Sequence, residues 1–531
     1  MPTIRLLHEI VGHAATVAPA HSALLFKDET LTFAQLKAEI DRFAGAIRGL
    51  GLARDERVAF FLPKQFEGVI SLFGAAAAGG VSVPINPMLR PQQVRHILSD
   101  CNVRVLITSG TRAQQLADVL PECHDLTTLV LTSPAKGLPD DPGANVLSWE
   151  ALLETPPAMP LSRIDTDMAA ILYTSGSTGL PKGVVLSHLN MVAAAESSAE
   201  FLELTQADRL LAVLPLSFDY GLSQLTTAYW VQASVVLIDF LFAREVIKAV
   251  AKHGVTGISA VPPIWNQLAV LDWPEEAVQS MRYITTSGGA ARKATLAKLR
   301  ERLPNTGIYQ MYGLTEAFRS AYLHPREIDQ KPGSVGKAIP NVELAVVRED
   351  GTACAPGEPG ELVHRGSLVA MGYWNDPERT HRRFRPAPGQ PVGIPLPEIA
   401  VWSGDRMRMD AEGYLYFVSR QDEMIKTSGY RVSPTEVEEI VFASGLVAEA
   451  VAIGVPHPEL GQAIVLLAHA GEGQSVSDDT LRQYCQRECP TYMVPAHIEI
   501  RDELPRNPNG KIDRAELAQI YHGHFSETPA D

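Results

Sequence analysis

Two hydrophobic rhythms alternate along most of the chain. Residues 32–50 carry apolar positions at helical spacing, the pattern of a helix with one buried face. Residues 57–62 and 103–108 are short, continuous apolar runs, too short for independent helices and of the right length for buried strands. In Gly79-Gly80-Val81-Ser82-Val83-Pro84-Ile85 the two rhythms meet, which predicts a helix end followed at once by a buried strand. The strand signal returns at 233–238, 257–261 and 283–286. Helix alternating with buried strand predicts an α/β fold of doubly wound subdomains. No short-period repeat and no heptads interrupt it.

After Gly360 the pattern changes. Residues 360–366 and 413–419 read as strands separated by turn residues, predicting a small antiparallel β subdomain. Between them, residues 385–397 hold too many prolines for a helix or a central strand, and predict a surface loop. From Ser433 the order is helix (434–444), strands (448–454 and 462–470), helix (477–488) and strand (497–502), a small α+β unit of its own. A boundary is expected at 420–423, dividing the chain into 1–420 and 421–531.

Composition narrows the function. With 531 residues the chain is too long for one ordinary core. Its net charge of −15 argues against a nucleic-acid partner, because phosphate backbones are bound by clustered Lys and Arg. The five cysteines, Cys101, Cys123, Cys354, Cys485 and Cys489, lack metal-ligand spacing and do not suggest a disulfide framework. Cys485 and Cys489 lie one helical turn apart, with packing as their expected role. Residues 1–9 have no apolar signal core, and the longest apolar stretch, 69–84, is broken by Gly74, Gly79 and Gly80. A cytoplasmic location without a membrane span is expected.

The chemistry begins at Tyr173-Thr174-Ser175-Gly176-Ser177-Thr178-Gly179-Leu180-Pro181-Lys182-Gly183-Val184. Glycines let backbone N–H groups approach phosphate oxygens, the hydroxyls add neutral donors and Lys182 adds charge, so this segment reads as a polyphosphate loop. A Walker loop is excluded, because Lys182 stands between Pro181 and Gly183 with no Ser or Thr following it for Mg²⁺. A surface linker is a poor alternative, because strand-like runs flank the segment. Tyr309-Gln310-Met311-Tyr312-Gly313-Leu314-Thr315-Glu316 then gathers a stacking ring, a Gly turn, a hydroxyl and a carboxylate. Ser403-Gly404-Asp405 offers a carboxylate to a ribose, Ser419-Arg420-Gln421-Asp422 precedes Lys426, and Asn509-Gly510-Lys511 presents a lysine near the C-terminus. Taken singly, each has a plain reading as strand, core ring, turn former or solvated cation.

Together and in this order the motifs resemble the adenylate-forming superfamily of acyl-CoA synthetases, amino-acid adenylation domains and luciferase. The resemblance spans nearly the whole chain. Residues 217–227 and 397–438 also look like a bacterial subgroup, the exosortase A-associated acyl-CoA ligases. The resemblance implies an AMP-binding adenylation domain followed by a lid domain that carries the catalytic lysine. It implies that ATP activates a carboxylic acid as an acyl-adenylate, which a thiol then converts to a thioester with release of AMP.

By similarity, Lys511 bridges carboxylate and phosphate, Thr315 bonds the α-phosphate and Glu316 holds Mg²⁺. Thr174, Ser175, Gly176, Ser177, Thr178, Gly179 and Lys182 take the pyrophosphate end. Tyr312 and Gly313 cover the adenine against Gly288, Gly289 and Ala290, while Asp405 and Arg420 hold the ribose and Lys426 completes the nucleotide set. Asp422 is the hinge about which the lid turns, and Gly429, Tyr430 and Arg431 line the thiol tunnel. The implied acceptor is CoA or the phosphopantetheine of a separate carrier protein, because no Asp-Ser-Leu attachment motif follows in the chain.

The acid is less defined. Ser217-Phe218-Asp219 replaces the aromatic-His pair usual in fatty acyl-CoA synthetases and is similar to amino-acid adenylation domains, where this aspartate binds an ammonium. Asp219 as a cap of the next helix is the plainer alternative. Tyr220, Ser223, Ser287, Met311 and Arg319 complete a mostly polar pocket that argues against a long alkyl chain. Arg319 either meets a second substrate carboxylate or pairs within the protein. Two rival functions remain open at this point: an amino-acid ligase that loads a carrier protein, and a non-catalytic nucleotide-binding protein.

Overall fold

The computed structural model describes residues 4–139, 142–174, 181–289, 293–391, 393–420, 424–470, 476–505 and 512–526. Three of the expected strands form the heart of one sheet. Arg57–Phe61 lies between Val81–Pro84 and Val103–Thr108, parallel to both. Val81–Pro84 pairs in parallel with Met168–Thr174, which turns back antiparallel into Lys182–Ser187 with Thr174 opposite Lys182. The phosphate-loop motif is therefore the connection of a hairpin whose two strands were read in the sequence.

A second sheet sets Ser22–Phe26, Ser234–Leu237, Arg209–Ala212, Gly257–Ala260, Tyr283–Thr286 and Gly307–Tyr312 side by side and parallel. The chain leaves Arg209–Ala212 to one side and returns on the other. The carboxyl ends of these strands are thus a topological switch point, where ligands of open α/β sheets bind. Beyond Gly307–Tyr312 the strands run antiparallel, through Ala321–Leu323 and Ser334–Ala338 into the small β subdomain. There, Pro359–Gly366 and Leu415–Arg420 both pair with the long strand Ile399–Met409 that separates them. The proline-rich stretch opens with the short strand Phe384–Pro386 on Ile399–Met409; the rest of its described residues form no regular element.

Local chemistry explains the helices that hold these sheets. Phe33–Gly49 begins with a capping box in which Thr32 accepts from the Gln35 N–H and Gln35 accepts from the Thr32 N–H. Phe66–Ala78, which supplies most of the long apolar stretch, is buried on every side from Gly68 onward, as its lack of a polar face requires. It stops at Gly79, whose φ of +88° is a left-handed cap that suits glycine. Among the described residues no helix is long and apolar enough to cross a membrane.

In the C-terminal part, Glu449–His457 and Gly461–His469 pair antiparallel, and His497–Ile500 joins Gly461–His469 in parallel. Pro434–Phe442 and Asp478–Glu488 pack onto this sheet, and Cys485 and Cys489 are wholly buried there in an apolar cluster, the packing role expected of them. The sequence reading missed the hairpin of Ile425–Thr427 and Tyr430–Val432 at the edge of this sheet. Contacts tie this unit to the rest. The Arg90 guanidinium donates to the Cys489 and Gln486 carbonyls at 3.0 and 2.8 Å, and Gln93 Nε2 donates to Glu436 Oε1 at 3.0 Å.

Candidate active site

One buried carboxylate organises the charge at the mouth of the site. Glu316, in the short turn Thr315–Ala317 after Gly307–Tyr312, is 2 % exposed. Its Oε1 accepts from Lys182 Nζ at 3.1 Å and from the Tyr373 hydroxyl at 2.6 Å, with Arg383 Nε 4.0 Å away. The Tyr373 hydroxyl in turn accepts from Lys182 at 2.7 Å, and the ammonium lies 4.0 Å from the centre of that ring. Burial alone would raise the Glu316 carboxyl, but Lys182, Arg383 and Arg431 outweigh it and hold the group well below the usual carboxylate range. Thr315 beside it is half-buried.

Burial brings the Lys182 ammonium down to about 8, against the pull of Glu316 and with help from Arg383 and Arg431. A lysine that must be charged to hold phosphate then fails as it deprotonates. The kcat/KM for ATP should fall as pH rises through about 8, because that ratio reports groups of the free enzyme. A flat alkaline profile to pH 9.5 or so would rule Lys182 out as a phosphate ligand.

The nucleotide-type residues converge on a cavity of about 1210 Å³ between the switch point and the C-terminal unit. Ser287, Gly288, Gly289, Met311, Tyr312 and Gly313 line one side, and Lys426 and Gly429 line the other. Behind this wall, the Tyr312 hydroxyl donates to Asp405 Oδ2 at 2.6 Å, and Asp405 is 2 % exposed. Arg420 pairs with Asp405 across two antiparallel strands, so its backbone is placed beside it.

The acid-type residues gather below, on the helix Asp219–Trp230 and around it. Asp219 is the first residue of this helix and half-buried. Burial pushes its carboxyl up to about 6, although the charge on Arg319 and the backbone N–H of Tyr220 favour the ionised form. The Tyr220 hydroxyl and Thr285 Oγ1 are hydrogen-bonded at 2.5 Å. The Arg319 guanidinium lies 4.6 Å from the centre of the Tyr220 ring and donates through Nη2 to Ser223 Oγ. Ser223 donates to the Tyr220 carbonyl at 3.1 Å.

On the C-terminal side, Gly429 turns the hairpin at φ +83°, where a Cβ would come within 2.7 Å of Val261 Cγ2. Only glycine allows so close an approach in that conformation. The turn delivers the Tyr430 ring edge-on to Phe218 at 5.0 Å and flat against Tyr492 at 3.8 Å. Arg431, next along, is close enough for its charge to act on both Glu316 and Lys182.

Ser175, Gly176, Ser177, Thr178, Gly179, Ala290, Asp422 and Lys511 lie outside the described residues, as does the side chain of Arg420. Thr174 ends its strand directly before the segment expected to hold phosphate. Tyr373 and Arg383 were not singled out in the sequence. Tyr373 sits in the strand Gly372–Tyr373, which pairs with Val184 and Val185 and so carries its hydroxyl to Lys182. Arg383 ends the helix Pro377–Arg383. Neither carries a local signal, because Tyr373 is placed by strand pairing 191 residues away from Lys182 and Arg383 by the end of a separate helix.

Two α/β sheets, a cavity at the switch point and a lysine–carboxylate cluster beside the hairpin of Met168–Thr174 and Lys182–Ser187 make an arrangement suited to a nucleotide. The sequence pattern of the AMP-binding enzyme family matches residues 11–374, and that of the AMP-binding enzyme C-terminal domain matches residues 436–511; the chain belongs to this family. It is 29 % identical over 546 residues to a long-chain-fatty-acid–CoA ligase of Salmonella typhimurium, covering 97 % of this chain and 95 % of that one. It is also 29 % identical over 521 residues to an indoleacetate–CoA ligase of Aromatoleum aromaticum, covering 97 % and 98 %. Among solved structures, the o-succinylbenzoate CoA synthetase of Bacillus subtilis is similar in two forms. A double mutant bound to its product analogue OSB-NCoA superposes with a TM-score of 0.81 at 27 % identity, covering 96 % of this chain and 97 % of that one. The form with ATP and magnesium gives 0.67, at 27 % identity and coverages of 96 % and 98 %. The chain is an ATP-dependent, AMP-forming acid–thiol ligase of the acyl-CoA synthetase type.

Proposed function

We propose that the thiol is CoA and that the acid is compact and polar. The observation that carries this reading is the seating of the hairpin Ile425–Val432, with Tyr430 on Phe218 and Gly429 against Val261, at the mouth of the cavity. The closer likeness to the relative's form holding a CoA product analogue than to its ATP form supports the same reading. In this reading Lys182 and the loop 174–179 hold the triphosphate, Thr315 and Lys511 act at the α-phosphate, and Tyr312 and Asp405 take adenine and ribose. Glu316 suits Mg²⁺, which takes one or two carboxylates and completes its shell with phosphate and water. Mg²⁺ would neutralise the triphosphate there. Lys426 and Arg420 support the nucleotide, Asp422 is the hinge, and Gly429, Tyr430 and Arg431 face the pantetheine arm.

The test is incubation with ATP, Mg²⁺ and a panel of acids, with and without CoA, reading AMP and the thioester by mass spectrometry. CoA-dependent AMP release with short polar acids supports the reading. AMP release that ignores CoA, or ATP binding without turnover, overturns it.

One observation favours a second reading for the acid. Among the described residues Asp219 makes no ion pair within 4.0 Å, so a substrate ammonium could neutralise it. Pyrophosphate exchange with α-amino acids and their des-amino analogues separates the two. Preference for the amino acids makes Asp219 an ammonium clamp; equal rates leave it at the helix start.

A further inference from the structure

A short stretch after the strand Val81–Pro84, residues 88–93, meets three elements of the C-terminal unit. That strand lies inside its sheet, between Arg57–Phe61 and Met168–Thr174, so the stretch leaves from a firmly placed end. Met88 Sδ accepts from the Tyr430 hydroxyl, on the hairpin Ile425–Val432, at 3.4 Å. Arg90 donates from Nε to the Cys489 carbonyl at 3.0 Å and from Nη2 to the Gln486 carbonyl at 2.8 Å, at the end of Asp478–Glu488. Gln93 Nε2 donates at 3.0 Å to Oε1 of Glu436, in the helix Pro434–Phe442. The hairpin and both helices share one apolar core, so the three contacts fix the orientation of the unit as a body.

The chemistry of each contact is specific. The last carbonyls of a helix lack intrahelical partners and carry partial negative charge, and the Arg90 guanidinium answers both. Gln93 is the third residue of the helix Pro91–Asp100, and its Oε1 accepts from the Arg90 N–H at 3.1 Å, one half of a capping box. That bond orients the amide and leaves its NH₂ end for Glu436, a buried carboxylate that needs donors. Arg90 and Gln93 are themselves half-buried, so water can replace these polar contacts when the unit moves. Such a joint suits a contact made and broken in each turnover. Farther along the same helix, His96 Nε2 lies 3.0 Å from the Pro181 carbonyl, and the Asp100 carbonyl accepts from Trp374 Nε1 at 2.8 Å. The seat is thereby tied to the chain on either side of Lys182 and Tyr373.

We infer that Arg90 and Gln93 are positioning residues for thiol transfer, clasping the C-terminal unit while the hairpin Ile425–Val432 faces the cavity and releasing it for adenylation. In the transfer the CoA sulfur bonds to the acyl carbonyl carbon, the bond from that carbon to the phosphate oxygen of AMP breaks, AMP leaves with the electron pair, and the thiol gives up its proton. Arg90 and Gln93 stand apart from the residues that line the nucleotide cavity and act through the seating of the unit. The inference rests on the proposed reading of CoA as acceptor and of this hairpin as the thiol-side face.

The test uses an acid that drives AMP release in the panel above and compares pyrophosphate exchange with single-turnover thioester formation from preformed acyl-adenylate and CoA. Arg90→Ala should lower thioester formation by about tenfold and keep exchange within about twofold, with Arg90→Lys retaining more transfer than Arg90→Ala. Gln93→Glu keeps the acceptor that caps the helix but sets a second carboxylate against Glu436, and should show the same split. Adding Glu436→Gln exchanges donor and acceptor across the contact and should return transfer to within about threefold of wild type. Loss of exchange and transfer together, in variants that still show an ATP-induced thermal shift, assigns both residues a structural role and overturns the inference. Unchanged transfer in both single variants, or no recovery in the exchanged pair, overturns it as well. A wild-type enzyme that forms no thioester with CoA removes the acceptor reading and this inference with it, whereas wild-type transfer with unsplit variants removes the inference alone.

Discussion

Glu316→Gln should slow acyl-adenylate formation by about 10²–10³ and weaken the fold by roughly 3 kcal/mol. Both effects come from one atom group. Glu316 is buried with Lys182 at 3.1 Å, Arg383 at 4.0 Å and the charge of Arg431 nearby. Glutamine keeps the shape and removes the carboxylate that, among the described residues, both Lys182 and Arg383 approach within 4.0 Å, leaving these two half-buried cations without it. It also removes the residue proposed to hold Mg²⁺ against the phosphates. The pH dependence has a definite sign. A carboxyl held far below its ordinary value of 4.5 adds stability above that value, and the contribution is lost as pH falls toward the folded-state value. The variant should therefore show a shallower loss of stability with acid than the wild-type protein. Pyrophosphate exchange and urea midpoints at neutral and acid pH read both effects. Wild-type exchange in the variant would remove Glu316 from the catalytic apparatus, and an unchanged midpoint would mean that its cations find other partners.

The strands and helices of the α/β part were legible in the sequence because each has its own period. Arg57–Phe61, Val103–Thr108 and Tyr283–Thr286 fall where continuous apolar runs place them. The phosphate-type loop and the Tyr312–Glu316 motif were legible because local backbone chemistry compresses their signal into a few residues. What escaped was set by pairing over long distances. Tyr373 reaches Lys182 only because a two-residue strand docks on Val184 and Val185, and Arg383 reaches Glu316 from the end of a separate helix. The hairpin Ile425–Val432 escaped for another reason. Its strands are three residues each, too short for a period to show, and they are held by a sheet edge and by contacts with Phe218 and Val261. The ambiguity of Arg319 had the same origin, since a sequence cannot show that its guanidinium meets Ser223 and the Tyr220 ring.

Lys511→Ala should lower pyrophosphate exchange by about 10²–10³ yet leave transfer from a preformed acyl-adenylate to CoA within about twofold of wild type. The selectivity follows from what occupies the mouth of the site. With Gly429 against Val261 and Tyr430 edge-on to Phe218 and stacked on Tyr492, the hairpin brings Arg431 near enough for its charge to act on Glu316, the arrangement proposed for thiol transfer. A lysine that must bridge two anions in the first half-reaction needs that face of the lid withdrawn. In the proposed reading the two tasks belong to two positions of the C-terminal unit, and each residue serves one of them. Asp422→Pro gives the complementary case, because a stiffened linker should spare adenylation and cripple thioester formation. Exchange and single-turnover thioester formation, measured on both variants, should show opposite losses. Parallel losses in Asp422→Pro would remove it as the hinge, and a matching loss of thiol transfer in Lys511→Ala would mean that one lid position serves both steps.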